Sequence, residues 1–202
     1  MIIRIYPENP NAKQIRQVVD CLRSGGIIIY PTDTIYGIGC DIFNPKAVEK
    51  VKQIKGLKGD NQNLSFICHD LSHLSDFAMP LSNSIFKTMR ALLPGPYTFI
   101  LEANNNVPKI FKSKKKTVGI RVPDNNIILE IVKELGNPIM STSVRDLDDV
   151  EEYTTDPELI HEKFENLVDI VVDGGFGDNV ASTILDCTSG EIEVIRYGKG
   201  KI

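Results

Sequence analysis

Four stretches of the sequence place hydroxyl-bearing or basic side chains beside an apolar run. YPTDTIYGIG at 30–39 follows the apolar residues 27–29, and GIRVP places Arg121 at the end of a second run. IMSTS at 139–143 and ASTILD at 181–186 add serines and threonines. A guanidinium binds phosphate or carboxylate through a fork of donors, and hydroxyls bind phosphate or ribose oxygens. Since α/β proteins bind ligands at strand ends, the four stretches together predict a nucleotide pocket.

The first stretch has the densest set of polar groups. Thr32, Asp33 and Thr34 supply two hydroxyls and a carboxylate, and Gly37 and Gly39 permit either a positive φ or a close backbone approach. A polar β-turn in which Asp33 binds its own backbone is the alternative interpretation. The chain contains neither a GxxxxGK[ST] nor a GxGxxG sequence, which excludes the two common phosphate-binding loops.

Apolar spacing and capping residues predict the elements that must position these groups. Asn44 with Pro45 marks one helix start, and Ser82 or Asn83 marks another. The expected helices lie at 11–24, 45–56, 83–92, 125–135 and 157–166. The expected strands lie at 27–30, 64–68, 97–101, 117–122, 138–142, 168–172, 183–186 and 193–196. Helices alternate with most strands but not with the last ones, so we expect an α/β (α+β-like) fold with one substantial mixed sheet.

Length and composition fit one compact domain over residues 1–202. Of the 202 residues, 42% are hydrophobic and 25% are charged, which is enough to bury a core. The net charge of −4 requires a local basic patch for any contact with nucleic acid. Residues 109–117 contain five lysines around Phe111 and form either an RNA contact or a solvated loop.

Cysteine spacing and hydropathy predict a soluble cytoplasmic protein. The four cysteines form no CxxC pair, which favours reduced thiols. No apolar stretch approaches the roughly 20 residues that a membrane span needs. His69, Asp70 and His73 occur together, but their context CHDLSHLSD is typical of a strand end followed by a short helix. We therefore propose no metal site in the protein.

Six ordered motifs carry a family resemblance that extends from Ile15 to Gly198. They are YPTDTIYGIGCD, AVEKVKQIKG, LPGPYTFIL, VGIRVP, MSTS and STILD. With them the chain resembles the YrdC/YciO family of threonylcarbamoyl-AMP synthases, and residues 55–78 are more similar to the YciO branch. The resemblance implies a twisted mixed sheet with flanking helices around a large concave cavity. It also implies a nucleotidyltransferase that converts ATP, L-threonine and bicarbonate into threonylcarbamoyl-AMP and pyrophosphate for tRNA modification, with Mg²⁺ carried by ATP.

The same resemblance implies a role for nine residues. Thr32, Thr34 and Tyr36 would line the threonine subsite. Arg121 would meet the threonine carboxylate or the α-phosphate, and Lys55 would face the phosphates, with Ser143 completing the catalytic set. The residues implied to bind the nucleotide are Lys55, Ser141, Ser143, Ser182 and Arg196.

Two positions depart from the pattern of active synthases. The Lys-x-Arg pair becomes Lys55-Gly56-Leu57, with Lys58 one residue later, and Ser-x-Asn becomes Ser143-Val144-Arg145. A lysine cannot reproduce the bidentate fork of an arginine. The alternative function is therefore a double-stranded RNA, tRNA or nucleotide-binding module without efficient catalysis. The acidic segment 146–153 would be a mobile flap or a polar loop.

Overall fold

The structure is a computed structural model that describes residues 1–57, 64–111, 116–144 and 154–202. The strands are β1 Ile2–Arg4, β2 Ile28–Tyr30, β3 Gly37–Asp41, β4 Ser65–Ile67, β5 Tyr97–Glu102, β6 Thr117–Arg121, β7 Ile139–Ser143, β8 Ile170–Asp173, β9 Thr183–Asp186 and β10 Glu193–Arg196. The helices are α1 Ala12–Arg23, α2 Pro45–Ile54, α3 Leu74–Phe77, α4 Asn83–Leu92, α5 Asn126–Leu135 and α6 Pro157–Phe164, with a 3₁₀ turn at Lys109–Phe111.

The strands form one mixed sheet in the order β1-β8-β2-β3-β7-β4-β6-β5-β9-β10. Four neighbouring pairs are parallel, and they join β8 to β1 and β2, β4 to β6, and β5 to β9. The other five pairs are antiparallel. The predicted twisted mixed sheet with flanking helices is confirmed.

Helix boundaries follow the capping residues in the sequence. Asn11 and Asn44 accept hydrogen bonds from the amides of Lys13 and Ala47, and Ser82 accepts one from Ile85. The left-handed Gly136 ends α5. These caps satisfy backbone groups that a helix end would otherwise leave unpaired, which explains the close match to the predicted starts.

Two apolar clusters cover opposite faces of the sheet. Helices α1 and α5 pack on one face, where Val18, Leu22 and Ile131 are fully buried beside Ile28 and Ile139. Helices α2 and α4 contribute to the cluster that contains the alternate strand positions. None of the described helices is both long enough and apolar enough to cross a membrane.

Strand β3 is a correction to the sequence prediction, which placed no strand between residues 30 and 64. Gly37 to Gly39 pair antiparallel with Tyr30 to Ile28, so the motif is a hairpin whose loop is 31–36. Neither Gly37 nor Gly39 has a positive φ. A Cβ on Gly39 would lie 2.2 Å from the Met140 carbonyl oxygen, so this glycine permits close strand approach. Strand β1 was also missed, because a strand of three residues carries little periodicity, whereas α3 confirms the short helix predicted within CHDLSHLSD.

The described cysteines are free thiols, in agreement with the predicted reduced state. Burial raises the pKa of both Cys40 and Cys68 to about 12. These two thiols therefore stay protonated near neutral pH and behave as small apolar side chains.

We predict that Gly39→Ala lowers the free energy of unfolding by roughly 1–3 kcal/mol, because the new methyl group would overlap Met140 and force β3 and β7 apart. Gly119→Ala is the matched control, because its Cβ would meet its nearest atom, the Leu64 carbonyl oxygen, at 3.2 Å. Urea unfolding of both variants measures the difference. Equal stability of the two variants would show that the β3–β7 approach does not need a glycine.

Candidate functional site

Arg121 connects the end of β6 to the loop of the β2–β3 hairpin. Its Nη2 donates to Asp33 Oδ1 at 2.9 Å and to Thr34 Oγ1 at 3.0 Å. The second oxygen of Asp33 accepts from the Asp124 amide at 3.1 Å. The side chains of Arg121 and Asp33 are only 12% and 9% exposed, so this ion pair is largely desolvated. The structure thus brings two of the predicted site residues, Thr34 and Arg121, together.

The hydroxyls of the hairpin loop form a closed set of hydrogen bonds. Thr32 Oγ1 donates to the Ile35 carbonyl oxygen at 2.8 Å and accepts from the Thr34 amide at 2.9 Å. The two threonine hydroxyls lie 3.1 Å apart. Because Thr32 donates its single proton to Ile35, the Thr34 hydroxyl must donate to Thr32. This arrangement leaves Thr34 Oγ1 as the acceptor that faces Arg121.

A second ion pair holds the same loop from the C-terminal segment. Lys199 Nζ donates to the Asp33 carbonyl oxygen at 2.7 Å and lies 2.8 Å from Asp178 Oδ2. The Asp178 amide donates to the Thr34 carbonyl oxygen at 3.2 Å. The hydrogen bond from Lys199 is the main cause that lowers the pKa of Asp178. Sequence analysis missed Lys199 and Asp178, because loop residues that meet only in the tertiary structure share no spacing pattern.

Tyr36 is fully buried within an apolar cluster. Its hydroxyl donates to the Gly175 carbonyl oxygen at 2.6 Å and accepts from the Gly174 amide at 3.2 Å. Burial raises the pKa of Tyr36 above its usual range. The phenol therefore anchors the loop that follows β8. It does not share the hydrogen bonds that join Thr34 to Arg121 and Thr32.

Small and hydroxyl-bearing residues occupy the sheet face next to Arg121. Gly39, Ser141 and Ser65 are cross-strand neighbours, and Ser65 shares its face with Ile67, which pairs with Arg121. The buried hydroxyl of Tyr30 donates to Ser141 Oγ. This face therefore carries little side-chain volume between the hairpin and β6.

Lys55 and Ser143 lie at the rim of this face. Ser143, the last residue of β7, is exposed. Lys55 Nζ donates to the carbonyl oxygen of the next residue, Val144, at 3.0 Å. The structure thus brings Lys55 close to Ser143.

Ser182 and Arg196 lie on the other side of Arg121, toward the β9–β10 edge of the sheet. Arg196 donates to the Ser182 carbonyl oxygen through Nη2 at 2.8 Å and through Nε at 3.2 Å. Ser182 Oγ lies 2.8 Å from Thr98 Oγ1. Since Phe99 pairs with Ile120, Thr98 lies on the same face as Arg121.

The two arginines concentrate positive charge in this region. Burial lowers the pKa of Arg196, and the positive charge of Arg121 lowers it further. Burial also lowers the pKa of Arg121, against the opposing effect of Asp33. In the part of the chain that the structure describes, the buried Nε of Arg121 has no hydrogen-bond partner. An anion near the two guanidiniums would offset their repulsion, and buried donors are normally paired.

Some sequence predictions fall outside the described residues. These are Lys58, Arg145, the lysines within 112–115 and the acidic segment 146–153. The structure has two cavities of about 420 and 380 Å³, and none of the predicted site residues lines either of them.

Comparison with known proteins identifies the family of the chain. The Sua5/YciO/YrdC family model, described as "Telomere recombination", matches residues 20–198. The chain belongs to the Sua5/YciO/YrdC family. It is 38% identical to YciO of Escherichia coli K12 over 98% of this chain and 95% of that protein. The crystal structure of E. coli YciO superposes with a TM-score of 0.91, covering 100% of this chain and 97% of the other at 37% identity.

More distant family members include proteins named for an activity. The Bacillus subtilis threonylcarbamoyl-AMP synthase is 31% identical over 93% of this chain, which spans 54% of the synthase. The crystal structure of P. abyssi Sua5 complexed with L-threonine has a TM-score of 0.89 at 26% identity. That match covers 98% of this chain and 57% of the Sua5 chain.

We predict that Lys199→Met raises the pKa of Asp178 toward its ordinary value and destabilises the fold by only about 0.2–1 kcal/mol, because the pair is partly exposed. The wild-type advantage should be present above the ordinary pKa of an aspartate and should disappear as the pH falls through the lowered pKa of Asp178. Carboxyl ¹³C NMR titration measures the shift. Lys201→Met is the control and should leave Asp178 unchanged; an Asp178 pKa that is equally unchanged in Lys199→Met would contradict the ion pair.

Proposed function

We propose that this protein is an L-threonylcarbamoyladenylate synthase that acts in the tRNA threonylcarbamoyladenosine pathway. The observation that carries the proposal is the Arg121 guanidinium, which is buried at the Thr32–Thr34 loop, is close enough to lower the pKa of Arg196, and has no partner for its Nε among the described residues. The family relation supports this assignment, since one relative is named a threonylcarbamoyl-AMP synthase and another is complexed with L-threonine. The reaction would use ATP. Because ATP is abundant in the cytoplasm, we place the protein there.

The amino acid would bind at the hairpin loop. Thr32 and Thr34 would contact L-threonine, with the buried Tyr36 supporting the loop from behind. Arg121 would bind its carboxylate or the α-phosphate through its guanidinium, whose Nε has no partner among the described residues. A ligand held by a fixed, desolvated guanidinium is oriented as well as bound.

The nucleotide would lie along the hydroxyl-bearing face. Ser141, Ser143 and Ser182 would contact phosphate or ribose oxygens, and Lys55 and Arg196 would neutralise phosphate charge. Mg²⁺ would enter with ATP and keep several waters. Both carboxylate oxygens of Asp33 already accept hydrogen bonds, so phosphate oxygens and water would supply most of the metal ligands.

The proposed chemistry is a displacement at phosphorus. Bicarbonate and the threonine amine condense to a carbamate and water, and a carbamate oxygen then forms a bond to the α-phosphorus while the bond to pyrophosphate breaks. Negative charge grows on the departing pyrophosphate, so the reaction needs cations and alignment more than a strong base. Arg121, Arg196 and Lys55 would provide these cations.

One observation favours a second function, that of an RNA- or nucleotide-binding module with little catalysis. Leu57 stands where active synthases have an arginine, and its apolar side chain cannot bind phosphate. In this case the fold and the nucleotide site remain, and double-stranded RNA or tRNA would contact the lysine-rich segment 109–117.

We predict that Arg121→Lys lowers the rate of pyrophosphate release from ATP, L-threonine and bicarbonate by about 10²-fold or more, because a lysine loses the fork that aligns the reactants. Arg16→Lys, at an exposed helix position, is the control and should keep the wild-type rate. Wild-type protein that binds ATP but releases no pyrophosphate would support the binding module instead. Equal rates for wild type and Arg121→Lys would remove Arg121 from the catalytic set.

A second test addresses the two departures from the synthase pattern. We expect Leu57→Arg combined with Arg145→Asn to raise pyrophosphate release without a large change in ATP affinity, since the added fork and amide would improve alignment more than binding. Steady-state kinetics and calorimetric ATP titration separate the two effects, and each single variant serves as a control. A double variant no faster than wild type would show that these positions do not limit turnover.

A further inference from the structure

Tyr30 lies on the same face of the sheet as the candidate site. It ends β2 and pairs with Gly37 of β3, which pairs in turn with Ser143 of β7. Cross-strand partners share a face, and so do residues two apart on a strand, which places Tyr30 on the side of Ser141. The tyrosine side chain is fully buried within the apolar cluster of α1 and α5.

The phenol of Tyr30 reaches across one whole strand. Strand β3 lies between β2 and β7, so the hydrogen bond from the Tyr30 hydroxyl to Ser141 Oγ passes over β3. A Cβ on Gly37 would lie 2.8 Å from Tyr30 Cζ and 3.0 Å from the phenol oxygen. The glycine therefore leaves the space in which the ring lies, and this explains one of the two glycines in the first motif.

The direction of this hydrogen bond determines what Ser141 can offer to a ligand. Burial raises the pKa of Tyr30 well above its usual range, so the phenol keeps its proton. That single proton is donated to Ser141 Oγ, which leaves the proton of Ser141 for a different acceptor. A hydroxyl that accepts one hydrogen bond is polarised and donates the next one more strongly.

We propose that Tyr30 is a positioning residue, which holds the Ser141 hydroxyl so that Ser141 donates its proton to a phosphate oxygen of the ligand. The inference rests on the proposed function, in which Ser141 contacts the nucleotide. A hydrogen bond to an anionic oxygen is stronger than one to a neutral oxygen, so a polarised donor favours phosphate over ribose. Arg121 is close enough to affect the pKa of Tyr30, and its positive charge favours the same anion.

The test is a calorimetric titration of the full chain with Mg²⁺–ATP and with adenosine. Tyr30→Phe removes one oxygen atom and keeps the ring that packs over Gly37. We expect this variant to bind ATP about fivefold or more weakly, because the Ser141 hydroxyl is no longer held and polarised. Adenosine has no phosphate, and its affinity should change by less than about twofold.

Tyr97→Phe is the matched control. Tyr97 is buried in the cluster on the opposite face, and its hydroxyl donates to the Lys201 carbonyl oxygen at 2.6 Å. Each variant loses one hydrogen bond of a buried phenol, so urea unfolding should show similar losses of stability. A merely structural role for Tyr30 would make the two variants alike in ATP binding as well, whereas we expect Tyr97→Phe to bind ATP like the wild type.

A double-mutant cycle tests whether Tyr30 acts through Ser141. Ser141→Ala should weaken ATP binding by about tenfold, as loss of a hydrogen bond to a charged group does. Adding Tyr30→Phe to Ser141→Ala should change the affinity by less than about twofold, because the hydroxyl that Tyr30 positions has gone.

Three results would overturn the proposal. They are equal ATP affinities of wild type and Tyr30→Phe, the same loss from Tyr30→Phe with and without the Ser141 hydroxyl, and equal losses for ATP and adenosine. Wild-type protein that binds ATP but releases no pyrophosphate would contradict the synthase assignment alone, because the affinities would still decide the role of Tyr30. Absence of ATP binding by the wild type would overturn both.

Discussion

The ion pair between Arg121 and Asp33 is the interaction on which the candidate site depends. It joins the middle of the sheet to the hairpin loop across 88 positions of sequence, with both side chains mostly removed from water. Breaking a buried pair by removing one partner typically costs about 3–5 kcal/mol, since the other charge stays buried. The pair fixes Thr34 against the guanidinium and engages Asp33, while the buried Nε of Arg121 has no hydrogen-bond partner among the described residues.

The surrounding structure supports this pair from several directions. Lys199 and Asp178 hold the backbone of the loop, and Tyr36 anchors the segment after β8 behind it. Gly39 allows β3 and β7 to approach closely, and together with its cross-strand neighbour Ser141 it leaves little side-chain volume on their common face. An apolar side chain at either position would fill the space over which a nucleotide would lie. Packing alone favours larger apolar residues at such positions, so the small and polar residues of this face support the proposed nucleotide site.

Local sequence signals predicted most of the helices and strands but only part of the site. Helix α1 follows its apolar stripe, and α2 begins at the predicted Asn44 cap. Strand β3 was missed, because Gly37 and Gly39 disfavour a strand unless close packing requires them. Thr34 and Arg121 could be predicted as site residues, because each follows an apolar strand and α/β proteins bind ligands at strand ends. Lys199 and Asp178 were not, since each is an ordinary loop residue until the fold brings it to the hairpin.

The most direct measurement of the central claim is a crystal structure of the protein with L-threonine and a non-hydrolysable ATP analogue. The account predicts that a carboxylate or α-phosphate oxygen lies about 3 Å from Arg121 Nε, within reach of Arg196, with the ion pair to Asp33 intact. A complex in which both ligands bind elsewhere, or in which Arg121 Nε gains no partner, would contradict it.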